Sequence, residues 1–71
     1  MKLIKEFLSD GKYPSDDEVK ECLKIVEDED CIIKLKWNPI NNGRINTYTL
    51  DIRKGMTFER CVNYIKSTKS S

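Results

Sequence analysis

Three cysteines, Cys22, Cys31 and Cys61, are the side chains of this chain best suited to nucleophilic or metal chemistry. They lie nine and thirty residues apart, so there is no Cys-x-x-Cys pair, and one thiol stays unpaired if the other two form a disulfide. Histidine, the commonest general base and metal ligand, is absent. We therefore expect the cysteines to be small hydrophobic core residues in a reducing, cytoplasmic environment.

The acidic run Glu27–Asp30 is the second candidate for chemistry, because carboxylates are ligands for hard cations. The run lacks the alternation, the glycine and the terminal glutamate of a calcium-binding loop. The three glycines stand alone at turn positions, so no glycine-rich phosphate cradle is present. A chain of 71 residues is also too small for a large buried active site. The sequence predicts a protein that is not an enzyme and has no metal site and no cofactor.

Charge is divided unequally along the chain. Residues 1–30 hold ten acids and five lysines, a net charge of −5, whereas residues 31–71 hold two acids and eight lysines or arginines, a net charge of +6. The total of +1 therefore conceals a polarised molecule. Such charge asymmetry indicates partners of complementary charge.

Two amphipathic helices are predicted in the acidic part of the chain. Apolar residues at positions 3, 4, 7 and 8 predict a short first helix that ends at Gly11. Ser15 and Glu18 have the spacing of a capping box, which marks the start of a second helix. The apolar residues of that helix recur at i, i+3, i+4 and i+7, as in a stripe that faces the core, and they are Val19, Cys22, Leu23 and Val26.

A β-hairpin is predicted at the start of the basic part. Residues 31–37 alternate between apolar and polar, and residues 44–53 are rich in Ile, Thr and Tyr, with turn-forming residues between them. We expect a register that places Trp37 opposite Arg44. The apolar partners then share one face of the hairpin, which comprises Cys31, Ile33, Leu35, Tyr48, Leu50 and Ile52.

A last amphipathic helix is predicted after Thr57, a suitable N-cap. Its apolar residues are Phe58, Cys61, Val62 and Ile65. The predicted fold class is α+β, with two N-terminal helices, an antiparallel β-hairpin and a C-terminal helix in a two-layer single domain. We expect residues 1–66 to form this domain and residues 67–71 to be a disordered tail.

The first candidate binding surface is the set of acids on and after the second predicted helix, called the acidic pole below. It is expected to bind a protein partner with a basic surface, such as a nucleic-acid-handling enzyme. Its members are Asp16, Asp17, Glu21, Glu27, Asp28, Glu29 and Asp30.

The alternative surface, called the basic hairpin below, is expected to bind nucleic acid or an acidic partner. A two-stranded ribbon fits the DNA major groove, where Lys and Arg contact phosphates and Thr contacts phosphates or bases. Its members are Lys34, Lys36, Arg44, Thr47, Thr49, Arg53 and Lys54.

Two further observations bear on the basic hairpin. A strand pair followed by a Lys-Gly-Met-Thr turn and an amphipathic helix, over residues 44–65, loosely resembles the arm-type DNA-binding domains of phage integrases. No functional position is transferred from that resemblance. Against it, the isoelectric point of about 7.7 is below the value above ~9 that is typical of dedicated nucleic-acid modules. The lysines also have a simpler interpretation, as solvated charges that protect a strand edge from aggregation.

The sequence favours a small, non-enzymatic, cytoplasmic protein that regulates or inhibits a macromolecular partner by occupying its surface. A small, highly charged chain without catalytic residues is similar in style to phage-encoded inhibitors, such as anti-CRISPR and other anti-defence proteins. We expect a monomer or a homodimer with no membrane segment. Nucleic-acid binding through the basic hairpin remains the alternative function.

Overall fold

Strands and helices alternate in a different order from the predicted one in the computed structural model, which describes residues 3–9, 12–41 and 43–69. The strands β1, β2 and β5 form a sheet in that order, and β3 and β4 form a separate ribbon. The protein is a small α+β domain with two helices and a three-stranded sheet, as predicted in class. The elements are β1 (Ile4–Leu8), α1 (Asp16–Glu29), β2 (Ile32–Trp37), β3 (Ile40–Asn41), β4 (Arg44–Ile45), β5 (Tyr48–Ile52) and α2 (Phe58–Lys69).

The first element is a strand, so the prediction of two N-terminal helices is wrong. β1 lies parallel to β2, with Ile4 opposite Ile32 and Leu8 opposite Lys36. A segment this short fits both a helical and a strand period, and pairing with β2 decides between them. α1 supplies the crossover that two parallel strands require. Gly11, the predicted end of the first helix, lies outside the described residues.

The capping box predicted at Ser15 is confirmed. The Ser15 hydroxyl accepts a hydrogen bond from the Glu18 backbone N–H at 3.2 Å, and the Glu18 carboxylate accepts one from the Ser15 N–H at 2.9 Å. The same carboxylate accepts a hydrogen bond from the Ser9 hydroxyl at 3.0 Å. The start of α1 is thereby joined to the end of β1, and α1 buries the predicted stripe residues Val19, Cys22 and Val26.

β2 and β5 form the predicted antiparallel hairpin, but the predicted register is wrong by four residues. Trp37 lies opposite Tyr48 rather than Arg44, and Ile33 lies opposite Ile52. Because side chains alternate with a period of two, a shift of four residues leaves each one on its predicted face. The apolar face of the hairpin was therefore identified correctly despite the wrong partners.

The register differs because the turn is centred two residues later in the chain than predicted. Residues 38–43 were expected to form one loop, whereas Ile40 pairs with Ile45 in the β3–β4 ribbon. The two-residue connection of this ribbon contains Gly43 with φ of +77°, a left-handed conformation that suits glycine in a hairpin turn. Asn42, the other residue of the connection, lies outside the described residues. Strand pairing therefore continues almost to the turn.

The ribbon continues the β2–β5 hairpin beyond a short interruption. The Asn46 backbone N–H donates a hydrogen bond to the Pro39 carbonyl at 3.0 Å. Pro39 has no N–H to donate in return, so the ladder is broken at this point. The predicted strand 44–53 is consequently divided into β4 and β5.

The last helix forms as predicted, and it is longer than predicted. The Thr57 hydroxyl accepts a hydrogen bond from the Arg60 backbone N–H at 3.2 Å, as expected of an N-cap. α2 extends to Lys69 and so includes part of the segment 67–71 that was expected to be a tail. Ser70 and Ser71 lie outside the described residues.

Both helices pack against one face of the three-stranded sheet. Apolar side chains of α1, α2, β2 and β5 form a single buried cluster between the two layers. The other face of the sheet is covered by neither helix. The buried cluster comprises Val19, Cys22, Val26, Cys31, Ile33, Leu35, Trp37, Leu50, Ile52, Cys61 and Ile65.

The substitution Leu35→Ala should remove most of the free energy of unfolding of this domain. Leu35 is fully buried, and such a truncation costs about 2–5 kcal/mol, whereas a domain of this size has roughly 3–5 kcal/mol of stability in total. The matched control is Leu8→Ala, because Leu8 is 63% exposed and should change the free energy of unfolding by less than about 0.5 kcal/mol. Urea denaturation followed by circular dichroism measures both, and equal effects would contradict the core assignment.

Candidate functional site

The acidic pole lies on the outer surface of α1 and in the turn that follows it. All seven of its carboxylate residues are exposed. Asp17, Glu21 and Asp28 recur at i, i+4 and i+11, on the side of α1 opposite the buried Cys22 and Val26. They form the part of the acidic pole that faces solvent most directly.

Contacts with the rest of the fold hold Glu27 and Glu29 of the acidic pole. The Glu29 carboxylate forms an ion pair with the Lys5 ammonium and raises the pKa of Lys5, chiefly through their hydrogen bond. The Glu27 carboxylate accepts a hydrogen bond from the Gly55 backbone N–H at 3.2 Å. These contacts join the last turns of α1 to β1 and to the loop before α2. Glu27 and Glu29 therefore stabilise the fold and are less available to a partner.

Other acids of the pole remain available to a partner. Within residues 3–9, 12–41 and 43–69, Asp16, Asp17, Glu21 and Asp28 take part in no ion pair. Two lysines interrupt this surface, and the ammonium of Lys20 lies over the Phe58 ring at 5.4 Å from its centroid. The face is therefore predominantly, but not uniformly, negative.

The basic hairpin is brought together only in part. Lys34, Lys36 and Thr49 lie on the uncovered face of the sheet, as predicted from their alternation. Arg53 and Lys54 follow the end of β5 and are exposed. The remaining two residues lie toward the tip of the hairpin, where Arg44 belongs to β4 and Thr47 precedes β5.

Acids share the uncovered face with these lysines. Lys36 donates a hydrogen bond to the Glu6 carboxylate at 3.0 Å. Lys34 lies opposite Glu6 on β1 and opposite Asp51 on β5. The sequence prediction left out these two acids, because β1 was expected to be a helix and the face was expected to be basic. Their presence lowers the positive charge available for phosphates.

Trp37 is a core residue and is not exposed for base stacking. Its ring is fully buried, stacks on Tyr48 at a centroid distance of 5.9 Å and meets the edge of Tyr64 at 6.2 Å. Within the described part of the chain, the indole Nε1 has no hydrogen-bond acceptor. The aromatic cluster thus stabilises the end of the β2–β5 pairing that lies nearest the β3–β4 ribbon.

The three cysteines are free and buried, as expected of core residues. Burial raises the pKa of the Cys22 thiol to about 11 and also raises that of Cys61. Both shifts oppose formation of the reactive thiolate. In residues 3–9, 12–41 and 43–69, no group of three or more Cys, Asp or Glu side chains is arranged to hold a metal ion.

A groove that the sequence prediction missed runs along the free edge of β5. It is an open depression of about 1020 Å³ between β5 and α2, called the edge groove below. Tertiary packing brings its residues together, since the turn at Gly55 returns the chain so that α2 lies beside β5. The groove residues with charged or large side chains are Lys34, Asp51, Arg53, Lys54, Met56, Arg60 and Tyr64.

Comparisons with protein-family models, with curated proteins and with solved structures found no match to this chain. Among the described residues, no helix has the length and apolar character needed to cross a membrane. The charged surfaces and the edge groove are therefore the features from which a function can be inferred.

Alkylation of the thiols should be slow in the folded protein. The three cysteines are buried, and the raised pKa of Cys22 leaves little thiolate at pH 8. Iodoacetamide labelling followed by mass spectrometry should give an unmodified chain in buffer and a triply modified chain in concentrated urea. Rapid labelling of one cysteine in buffer would contradict the core assignment and indicate a reactive thiol.

Proposed function

We propose that the protein is a non-enzymatic binding protein that regulates or inhibits a macromolecular partner by covering a basic part of that partner's surface. The observation that carries the proposal is the exposed carboxylate face of α1, formed by Asp17, Glu21 and Asp28. Such a face attracts basic surfaces, speeds their association and repels acidic ones. The working surface is therefore the acidic pole.

The rigidity of α1 supports this proposal. The helix has 14 residues, which corresponds to a length of roughly 21 Å. It is held at its start by the capping box and by the contact from Ser9 to Glu18, and at its end by Lys5 and Gly55. A surface fixed before binding loses less conformational entropy when the complex forms.

The partner class that best fits this surface is a nucleic-acid-handling protein. Such proteins present cationic grooves that track phosphates. A row of carboxylates on a fixed helix offers negative charge in place of those phosphates, so the two ligands would compete for the groove. This mode of action is the one expected of a cytoplasmic phage-type inhibitor, such as an anti-CRISPR or other anti-defence protein.

Direct binding of nucleic acid by the basic hairpin is less well supported. Lys36 is paired with Glu6, and Asp51 lies beside Lys34 on the same face. These acids weaken the attraction for phosphates, which supplies most of the affinity of non-specific nucleic-acid binding. The two functions also differ in their response to DNA, and this difference can be measured.

Neutralising the acidic face should weaken partner binding. The variant Asp17→Asn with Glu21→Gln should bind a partner captured from cell extract about tenfold more weakly than the wild type, because two attractive charges are lost. The matched control is Asp51→Asn with Glu59→Gln, which removes the same charge away from α1. Affinity capture followed by titration of the purified partner compares the three proteins.

Two results would overturn the proposal. Equal partner binding by the α1 variant and the control would remove the acidic pole as the working surface. Saturable, salt-sensitive binding of a short DNA duplex by the wild type, unaffected by the α1 variant, would favour the basic hairpin instead. Circular dichroism of each variant shows whether the fold is retained.

A further inference from the structure

We propose that the free edge of β5 binds an extended, acidic peptide segment of a partner protein, which adds to the sheet as a fourth strand in the edge groove. This site adjoins the acidic pole at the contact from Gly55 to Glu27, but it attracts the opposite charge. Its ligand is therefore an acidic peptide, whereas the partner surface proposed for the acidic pole is basic.

The hydrogen-bond pattern leaves the backbone of this edge available. The Ser9 N–H donates to the Lys36 carbonyl at 2.9 Å, so the backbone groups of Lys36 point toward β1. Its antiparallel partner Thr49 then forms a non-hydrogen-bonded pair with it, and the N–H and carbonyl of Thr49 point away from β2. Asp51, two residues further along, has the same orientation.

Two contacts agree with this orientation. The Tyr64 hydroxyl donates to the outward Thr49 carbonyl at the long distance of 3.4 Å, and the Arg53 N–H meets the Met56 sulfur at 3.2 Å. Among the described residues, β2 is the single strand paired with β5. A peptide strand would therefore find two N–H groups and two carbonyls on Thr49 and Asp51, one of them only weakly engaged.

The charge around the edge selects an acidic ligand. Lys34 lines the groove from the uncovered face of the sheet, Arg53 and Lys54 follow β5, and Arg60 is contributed by α2. Among the described residues that line it, Asp51 is the single acid. An added strand presents alternate side chains to the two sides of the edge, so its acids meet cations whichever side they face.

These cations are more than protection of an exposed edge. Protection of an edge requires only charged side chains on the edge strand itself. Here the cations come from β2, from the segment after β5 and from α2, and they converge around one depression beside the exposed ring of Tyr64. In β-strand addition, main-chain hydrogen bonds supply affinity and contacts with alternate side chains supply specificity, and this edge offers groups for both.

The test uses two labelled eight-residue peptides with a strand-forming pattern, (Val-Glu)4 and (Val-Lys)4, with blocked ends. Fluorescence anisotropy should show that the wild-type protein binds the glutamate peptide, more weakly at higher salt, and does not bind the lysine peptide. The variant Arg53→Glu with Arg60→Glu should bind at least about tenfold more weakly. The matched control Lys12→Glu with Lys66→Glu, which carries the same change in charge away from the groove, should bind as the wild type does.

A second pair of peptides tests the strand geometry without changing the protein. One carries N-methyl groups on every residue, which removes the backbone donors from both sides of the strand, and the other carries them on the glutamates alone, which leaves the donors of one side intact. Binding should be lost for the first peptide and kept for the second. Equal binding of both would reduce the site to charge attraction and overturn strand addition.

Other occupants are distinguished in the same experiment. Dimerisation in sedimentation equilibrium that is abolished by Arg53→Glu with Arg60→Glu would assign the edge to a second copy of the chain. Competition by a short DNA duplex with the same dependence on Arg53 and Arg60 would assign it to nucleic acid. Either result would overturn the peptide assignment. The α1 variant Asp17→Asn with Glu21→Gln should leave peptide binding unchanged, so failure here is separate from failure of the acidic pole.

Discussion

The alternation of β2 is the constraint on which the rest of the structure depends. β2 has a strand on each side, and Ile33, Leu35 and Trp37 all point into the helical layer. Its backbone groups are divided between β1 and β5 by the same alternation, because a residue that bonds one neighbour cannot bond the other. One period of two residues thus determines which side chains are buried, where both helices pack and which backbone groups of β5 remain outside the sheet.

The two layers that result have different electrostatic character. α1 displays carboxylates on its outer surface, and its last turn is held by Lys5 on one side and by the Gly55 backbone on the other. The sheet face is mixed, because β1 brings Glu6 beside Lys36. Positive charge is concentrated at the edge of β5, where α2 adds Arg60 to the cations of the strand region. The unequal distribution of charge along the sequence therefore gives the fold two surfaces of opposite charge, one on α1 and one at the edge of β5.

The sequence allowed prediction of those parts of the fold whose signals are local. The capping box at Ser15 and the stripe of α1 depend on residues within two turns of helix, and the face of each hairpin residue depends only on alternation. β1 was missed because five residues fit both periods and because its partner strand lies a whole helix away. The edge groove was missed for a similar reason, since Arg60 and Tyr64 approach β5 only after α2 has docked.

The tip of the hairpin has a further consequence for how the chain can change. β3 and β4 keep the register of β2 and β5, and the break at Pro39 and Asn46 leaves that register intact. Inserting one residue in each strand of the ribbon would therefore lengthen the projection, and removing one from each would shorten it, without moving any core side chain to the wrong face. The length of the β3–β4 ribbon can therefore vary independently of the domain that supports it.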